Sequence, residues 1–172
     1  MTDMENQSNN DTKPDSNNIT LSFNNLVEQC RSSVKEIMPW DMADLLNDRK
    51  DIIILDVRET REYTAMHIQD SIHIPRGILE PACEFGYEET NPIIANARDK
   101  EIIIVCRSGN RSLLAAKTMQ YLGYKNVTSL QTGLRGWNDY ELPLFDDDNN
   151  PVNMGDADEF FTSMLRPEQV KK

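Results

Sequence analysis

EIIIVCRSGNRSLLAAKTMQYLG, residues 101–123, holds the plan of the whole chain in one line. Ile102, Ile103, Ile104 and Val105 form a continuous β-branched run, the pattern of a strand covered on both faces rather than one. Leu113 to Leu122 reads as a helix, and Gly123 behind it suits the left-handed residue that closes a helix. Strand and helix are joined by CRSGNRS (106–112). In open sheets of parallel strands ligands bind beyond the carboxyl ends of the strands, and Cys106 stands at such an end.

The same alternation extends in both directions. Upstream, VKEIM (34–38) is a short strand, Asp41 can cap a helix through MADLLND, and DIIILDV (51–57) is a second continuous apolar strand. Thr60 can cap a short helix through REYTAM, SIHIP (71–75) is a strand stopped by proline, and RGILEPACEF (76–85) is a short or broken helix around Pro81. Downstream, NVTSL (126–130) is the fifth strand, and TGLRGW turns into a closing segment that ends near Leu144. Five strands interleaved with helices predict an α/β domain, its sheet mostly parallel with helices on both faces.

Three divisions follow from composition. Residues 1–18 are polar and Asn-rich, and cannot bury enough surface to offset their ordering entropy, so disorder is expected there. Residues 19–145 form the domain, opening with an amphipathic helix on which Leu26, Val27, Cys30 and Val34 share a face. Residues 146–172 are an acidic extension. Within it DADEFFTSMLR can form a short helix with Phe160, Phe161, Met164 and Leu165 clustered, and packing back on the domain is the expected outcome.

A net charge of −11 argues against nucleic acid and anionic membranes as general partners. The apolar runs are far shorter than the roughly 20 residues that cross a bilayer. No leader-like apolar core is visible near the start, and the three cysteines (Cys30, Cys83, Cys106) show no paired or zinc-binding spacing. A cytoplasmic protein without a metal is expected, with one functional thiol at most.

Cys106 is the candidate for that thiol. A thiolate is the nucleophile, and three features favour an anion on or beside its sulfur. It lies near a helix N-terminus; Ser108, Gly109 and Asn110 suit a tight loop with converging amides; Arg107 and Arg111 bring positive charge. Asp56 ends the second strand, where Arg58 or Arg61 can pair with it. His67 and His73 read as structural, Cys30 and Cys83 as buried fillers, and Trp137 as a core anchor.

With these residues in view, the chain resembles a single-domain rhodanese, a thiosulfate or persulfide sulfurtransferase. LDVRE (55–59), the Arg61–Glu62–Tyr63 helix start, HIQDSIHIPRG (67–77), CRSGNRS and the Leu130 to Trp137 turn carry the likeness. IPRGILE (74–80) and SLLAAKTMQYLGYKNV (112–127) are similar to a bacterial branch of that family. Two positions depart from its pattern: Asp70–Ser71 where a Gly-Ala-like pair is frequent, and Thr132–Gly133 where Gly-Gly is frequent.

The resemblance implies a five-stranded α/β fold and Cys106 as persulfide-forming nucleophile in a loop of residues 106–111. Arg107 and the loop amides would stabilise its charge, and Asp56 with Arg61 would brace the pocket wall. The donor would be thiosulfate or a persulfide, the acceptor a cellular thiol or a sulfur-carrier protein, with no cofactor. A rhodanese-like sensor or docking module, and a Cys-dependent phosphatase or arsenate reductase, are the competing classes.

Overall fold

A computed structural model describes residues 20–171, so the stretch 1–18 lies outside the described residues. Five strands, β1 (Lys35–Ile37), β2 (Ile53–Asp56), β3 (Ile72–His73), β4 (Glu101–Val105) and β5 (Asn126–Leu130), form one sheet in the order β1-β5-β4-β2-β3. Every pairing in it is parallel.

That order has one functional consequence. From β4 the chain moves outward to β5, and from β2 it moves outward to β3 on the other side. Right-handed crossovers in opposite directions must use opposite faces, so the connections part above the β2/β4 boundary, the place where such sheets take their ligands. Cys106 follows β4, and Val105 is in register with Asp56 at the end of β2.

Eight helices cover the faces among the described residues. One face carries α1 (Phe23–Arg31), α4 (Leu79–Ala82), α5 (Pro92–Ala95) and α6 (Asn110–Tyr121). Alternate β4 residues Ile102 and Ile104, with Cys106 next in phase, turn to that side. The other face carries α2 (Pro39–Asp48), α7 (Gly133–Asp139) and α8 (Met154–Phe161), packed on Ile103 and Val105. The thiol thus enters the first core by the period of two along its own strand.

Two helix caps differ from the sequence expectations. Helix α2 begins at Pro39 with Met38 as its cap, leaving Asp41 inside the first turn, because proline presets the first helical φ. Helix α3 (Thr60–Ala65) is capped by Glu59 rather than Thr60, in a reciprocal box with Glu62. In α1, Val27 and Cys30 are buried and so is Val34 beyond it, whereas Leu26 is exposed.

The acidic extension is tied down. Phe145 bridges His67 on one side and Pro151 on the other. Asp146 closes the DDDNN turn by accepting amides of Asp148 and Asn150. Helix α8 then lays Ala157 and Phe161 into the core shared with Leu134 and Trp137, and Asn138 Nδ2 donates to Asp158 Oδ1 at 2.6 Å. No described helix is long and apolar enough to cross a membrane.

Candidate active site

Cys106 is 1% exposed. Its Sγ accepts the Gly109 amide at 3.2 Å and lies 3.4 Å from Ser112 Oγ. Ser112 Oγ also contacts the Gly109 carbonyl at 3.1 Å and Ser129 Oγ at 2.8 Å. Ser112 and Ser129 are fully buried. A hydroxyl can rotate. With Ser129 as donor to it, Ser112 is free to turn its own proton from the Gly109 carbonyl to a thiolate.

Two glycines hold the loop in shape. Gly109 has φ +91, and a Cβ there would come within 3.1 Å of the Thr132 nitrogen. Gly133 opens α7 directly beneath the loop: a Cβ would stand 2.5 Å from the Cys106 carbonyl oxygen and 2.6 Å from the Ser108 nitrogen. The first α7 amides have no partners within their helix, and loop carbonyls take them. Leu134 N donates to Cys106 O at 2.8 Å, and Arg135 N to Arg107 O at 3.0 Å.

The two loop arginines do not both serve the sulfur. Arg111 forms a two-pronged pair with Glu62, Nη1 to Oε2 at 2.7 Å and Nη2 to Oε1 at 2.8 Å. Burial by itself would raise the Glu62 carboxyl, but the Arg111 guanidinium outweighs it and holds the group below its usual range. Arg107 turns away to α8: Nη1 donates to Phe160 O at 3.0 Å, Nη2 to Phe161 O at 2.9 Å, and the guanidinium lies over the Phe161 ring. Ser108 is exposed, and Asn110 begins α6.

Arg61 is likewise not the partner of Asp56. It is exposed, and Arg58 fills the position the resemblance assigned to it. Arg58 Nε and Nη2 bond Asp56 at 3.0 and 2.7 Å, its own amide donates to the same carboxylate, and Nη2 reaches Met66 O at 2.6 Å. Both side chains are fully buried. Two residues along an extended chain share a face, whereas Arg61 has already turned into α3.

The histidines are framework groups. His67 Nδ1 meets Tyr63 O and His73 Nε2 meets Arg58 O, each at 2.9 Å, and their rings sandwich Tyr63. Cys30 and Cys83 are buried, and burial pushes the Cys83 thiol up.

Glu62, Ser112, Ser129 and Gly133 contact the candidate site and were not assigned to it by the sequence reading. Glu62 had a local signal, because Glu59 and Glu62 stand at capping-box spacing. Ser129 and Gly133 had none, since their closeness to Cys106 depends on β5 lying beside β4.

The Glu62–Arg111 pair has a testable pH signature. The folded-state value of Glu62 is the lowered one. Its stabilisation is therefore complete above the unfolded value, about pH 4.3, and is lost as pH falls through the folded value. Glu62→Gln is expected to cost about 1–2 kcal/mol at neutral pH. The gap between variant and wild type should narrow progressively as pH falls below about 4.3 in chemical denaturation. A gap that persists undiminished at pH 3 would mean that charge pairing is not its source.

Residues 39–140, more than half of the 172, match the rhodanese-like domain family. YrkF of Bacillus subtilis (strain 168), by its name a candidate sulfur carrier protein, is 37% identical over 106 residues, 62% of this chain and 52% of YrkF. A protein of Allochromatium vinosum named sulfurtransferase is 27% identical over 113 residues, 64% of this chain and 94% of that one. Among solved structures, RPA3614 of Rhodopseudomonas palustris, a protein of unknown function described as a possible tyrosine phosphatase, is similar at TM-score 0.66 and 30% identity. That match covers 73% of this chain and 96% of the other. The chain spans about half the length of YrkF.

Proposed function

The chain belongs to the rhodanese-like domain family, and on that footing we propose that it is a sulfurtransferase that carries sulfane sulfur as a persulfide on Cys106. The observation that bears most weight is the sulfur itself. It is a buried thiol at the end of the central strand, bonded by the Gly109 amide and next to a rotatable Ser112 hydroxyl. Those are two donors for negative charge, held before the charge arrives.

The step is a displacement. Cys106–S⁻ attacks the outer sulfur of the donor, the S–S bond of the donor breaks, and its electron pair leaves with sulfite from thiosulfate or with RS⁻ from a persulfide RS–SH. An acceptor thiolate then takes the sulfur and returns Cys106–S⁻. Splitting one transfer into two covalent steps lowers each barrier. Gly109 and Ser112 hold the charge throughout, while Asp56 and Arg58 brace the neighbouring strand end.

The similarity to a possible tyrosine phosphatase gives a second reading. Against it stand the four residues between Cys106 and Arg111, the engagement of Arg111 by Glu62, and a sulfur with little room around it. Those features suit one added sulfur atom better than a tetrahedral phosphoryl group. Intact-mass measurement after thiosulfate or persulfide treatment, beside an aryl phosphate assay, separates the readings. A gain of one sulfur, removable by cyanide, with negligible phosphate release is expected. Phosphate release faster than sulfur transfer would reverse the assignment.

Gly133→Ala tests the loop support. Its Cβ would collide with backbone rather than with a flexible side chain, so the loop must shift. Sulfur loading is expected to fall by about tenfold or more, since small misplacements are costly in such sites. Gly77→Ala, with nothing within 4 Å of the added atom, is the control and should load normally. Equal loading of both variants would remove Gly133 from the site.

A further inference from the structure

Neither guanidinium of the Cys106 loop is free. Arg111 is held by both oxygens of Glu62. Arg107 caps α8. The last carbonyls of a helix have no partners within it and carry the negative end of its dipole, and Arg107 satisfies those of Phe160 and Phe161. The next cation along, Arg135, is exposed and shares a cavity of about 420 Å³ with Asp139 and Asp158. The chain as a whole carries a net charge of −11. A dianion approaching Cys106 therefore meets one guanidinium neutralised by a carboxylate and another drawn to the end of α8, against the net negative charge of the chain.

We propose that Cys106 takes its sulfur from a donor with little or no net negative charge, and that α8 sets this preference by holding the Arg107 guanidinium away from the sulfur. The inference rests on the sulfur-transfer reading of Cys106. It makes the acidic extension a specificity element of the active site. Phe161 is its anchor, buried against the α7 core while its own carbonyl engages Arg107.

The test uses the full chain and two donors, the dianion thiosulfate and the persulfide of cysteamine, whose ammonium cancels its own persulfide charge. Loading of Cys106 is followed by intact mass across a range of ionic strength. For the wild type, thiosulfate loading is expected to speed up with added salt as repulsion is screened, while cysteamine persulfide loading barely changes. Phe161→Ala undocks α8 and frees Arg107. It should raise the thiosulfate-to-persulfide rate ratio roughly threefold to tenfold, and adding Arg107→Ala should remove that gain.

Wild-type thiosulfate loading that slows with salt would overturn the inference, because it would report a free cation at the site. An unchanged ratio in folded Phe161→Ala would overturn it as well. If that variant does not fold, the sign of the wild-type salt dependence decides alone. A sulfur adduct with the wrong salt dependence sinks only this inference, whereas no adduct from either donor sinks the sulfur-transfer reading with it.

Discussion

Cys106→Ser is expected to lose every trace of sulfur loading and of transfer to an acceptor, while Cys30→Ser and Cys83→Ser keep both. The reason is positional. All three thiols are buried, but Cys106 alone leaves the central strand at the divergence of the β2 and β4 connections, with a backbone amide already on its sulfur. Cys30 and Cys83 sit within the apolar cluster beneath α1 and α4, where a thiol acts as a small apolar side chain. A serine oxygen fits the same hydrogen bonds, so the fold should survive and the loss should be chemical: an alcohol is a far poorer nucleophile than a thiolate and forms no persulfide. The measurement is intact mass before and after donor, then cyanide release, for the three variants. Normal transfer by Cys106→Ser, or loss in Cys83→Ser alone, would move the nucleophile elsewhere.

Arg58→Met should be the most destabilising change at the site. It leaves the Asp56 carboxylate buried without its countercharge, and removing one member of a buried ion pair costs about 3–5 kcal/mol. For a chain of this size the melting temperature should drop by roughly 10 °C. Met66 O loses its partner too, and the side chain of Met66 belongs to the core beside α3. Arg58 Nη1 finds no partner among the described residues, so the pair is not saturated, and an apolar replacement of both members should recover part of the loss. Asp56→Leu combined with Arg58→Met is therefore expected to melt above Arg58→Met alone. Arg61→Ala should move the melting temperature by no more than about 2 °C. A loss in Arg61→Ala as large as that in Arg58→Met would restore Arg61 as the working partner of Asp56.

These two experiments divide along what could be read locally. Ile102–Val105 and Ile53–Leu55 announced their strands, because a short unbroken run of mostly β-branched residues favours a strand covered on both faces over a helix. Gly123 closed α6 with φ +88, the conformation a glycine there makes easy. A strand, a cysteine, a tight loop and a helix in succession placed Cys106 at a carboxyl end before any contact was known. The parallel five-stranded sheet with helices on both faces followed from that alternation.

Local signals were weaker where two choices differed by little energy. Met38 rather than Asp41 caps α2, since Pro39 decides the start. At Asp70 and Thr132 the backbone takes φ +62 and +67 on residues that are not glycine. These are the two places where the chain departs from its family pattern. Both residues are exposed, and aspartate tolerates the left-handed region better than threonine does.

The sequence by itself determined the fold class, the strand that Cys106 follows and the choice of Cys106 as the candidate nucleophile, because each depends on neighbours within a few residues. Only the tertiary structure decided what the arginines do. Arg58 took Asp56 because an extended chain returns to the same face after two residues. Arg111 took Glu62 across 49 positions of sequence, and Arg107 took the end of α8 across 53. A guanidinium is drawn to whichever oxygen the folded chain brings within reach. No local pattern around CRSGNRS carries that information.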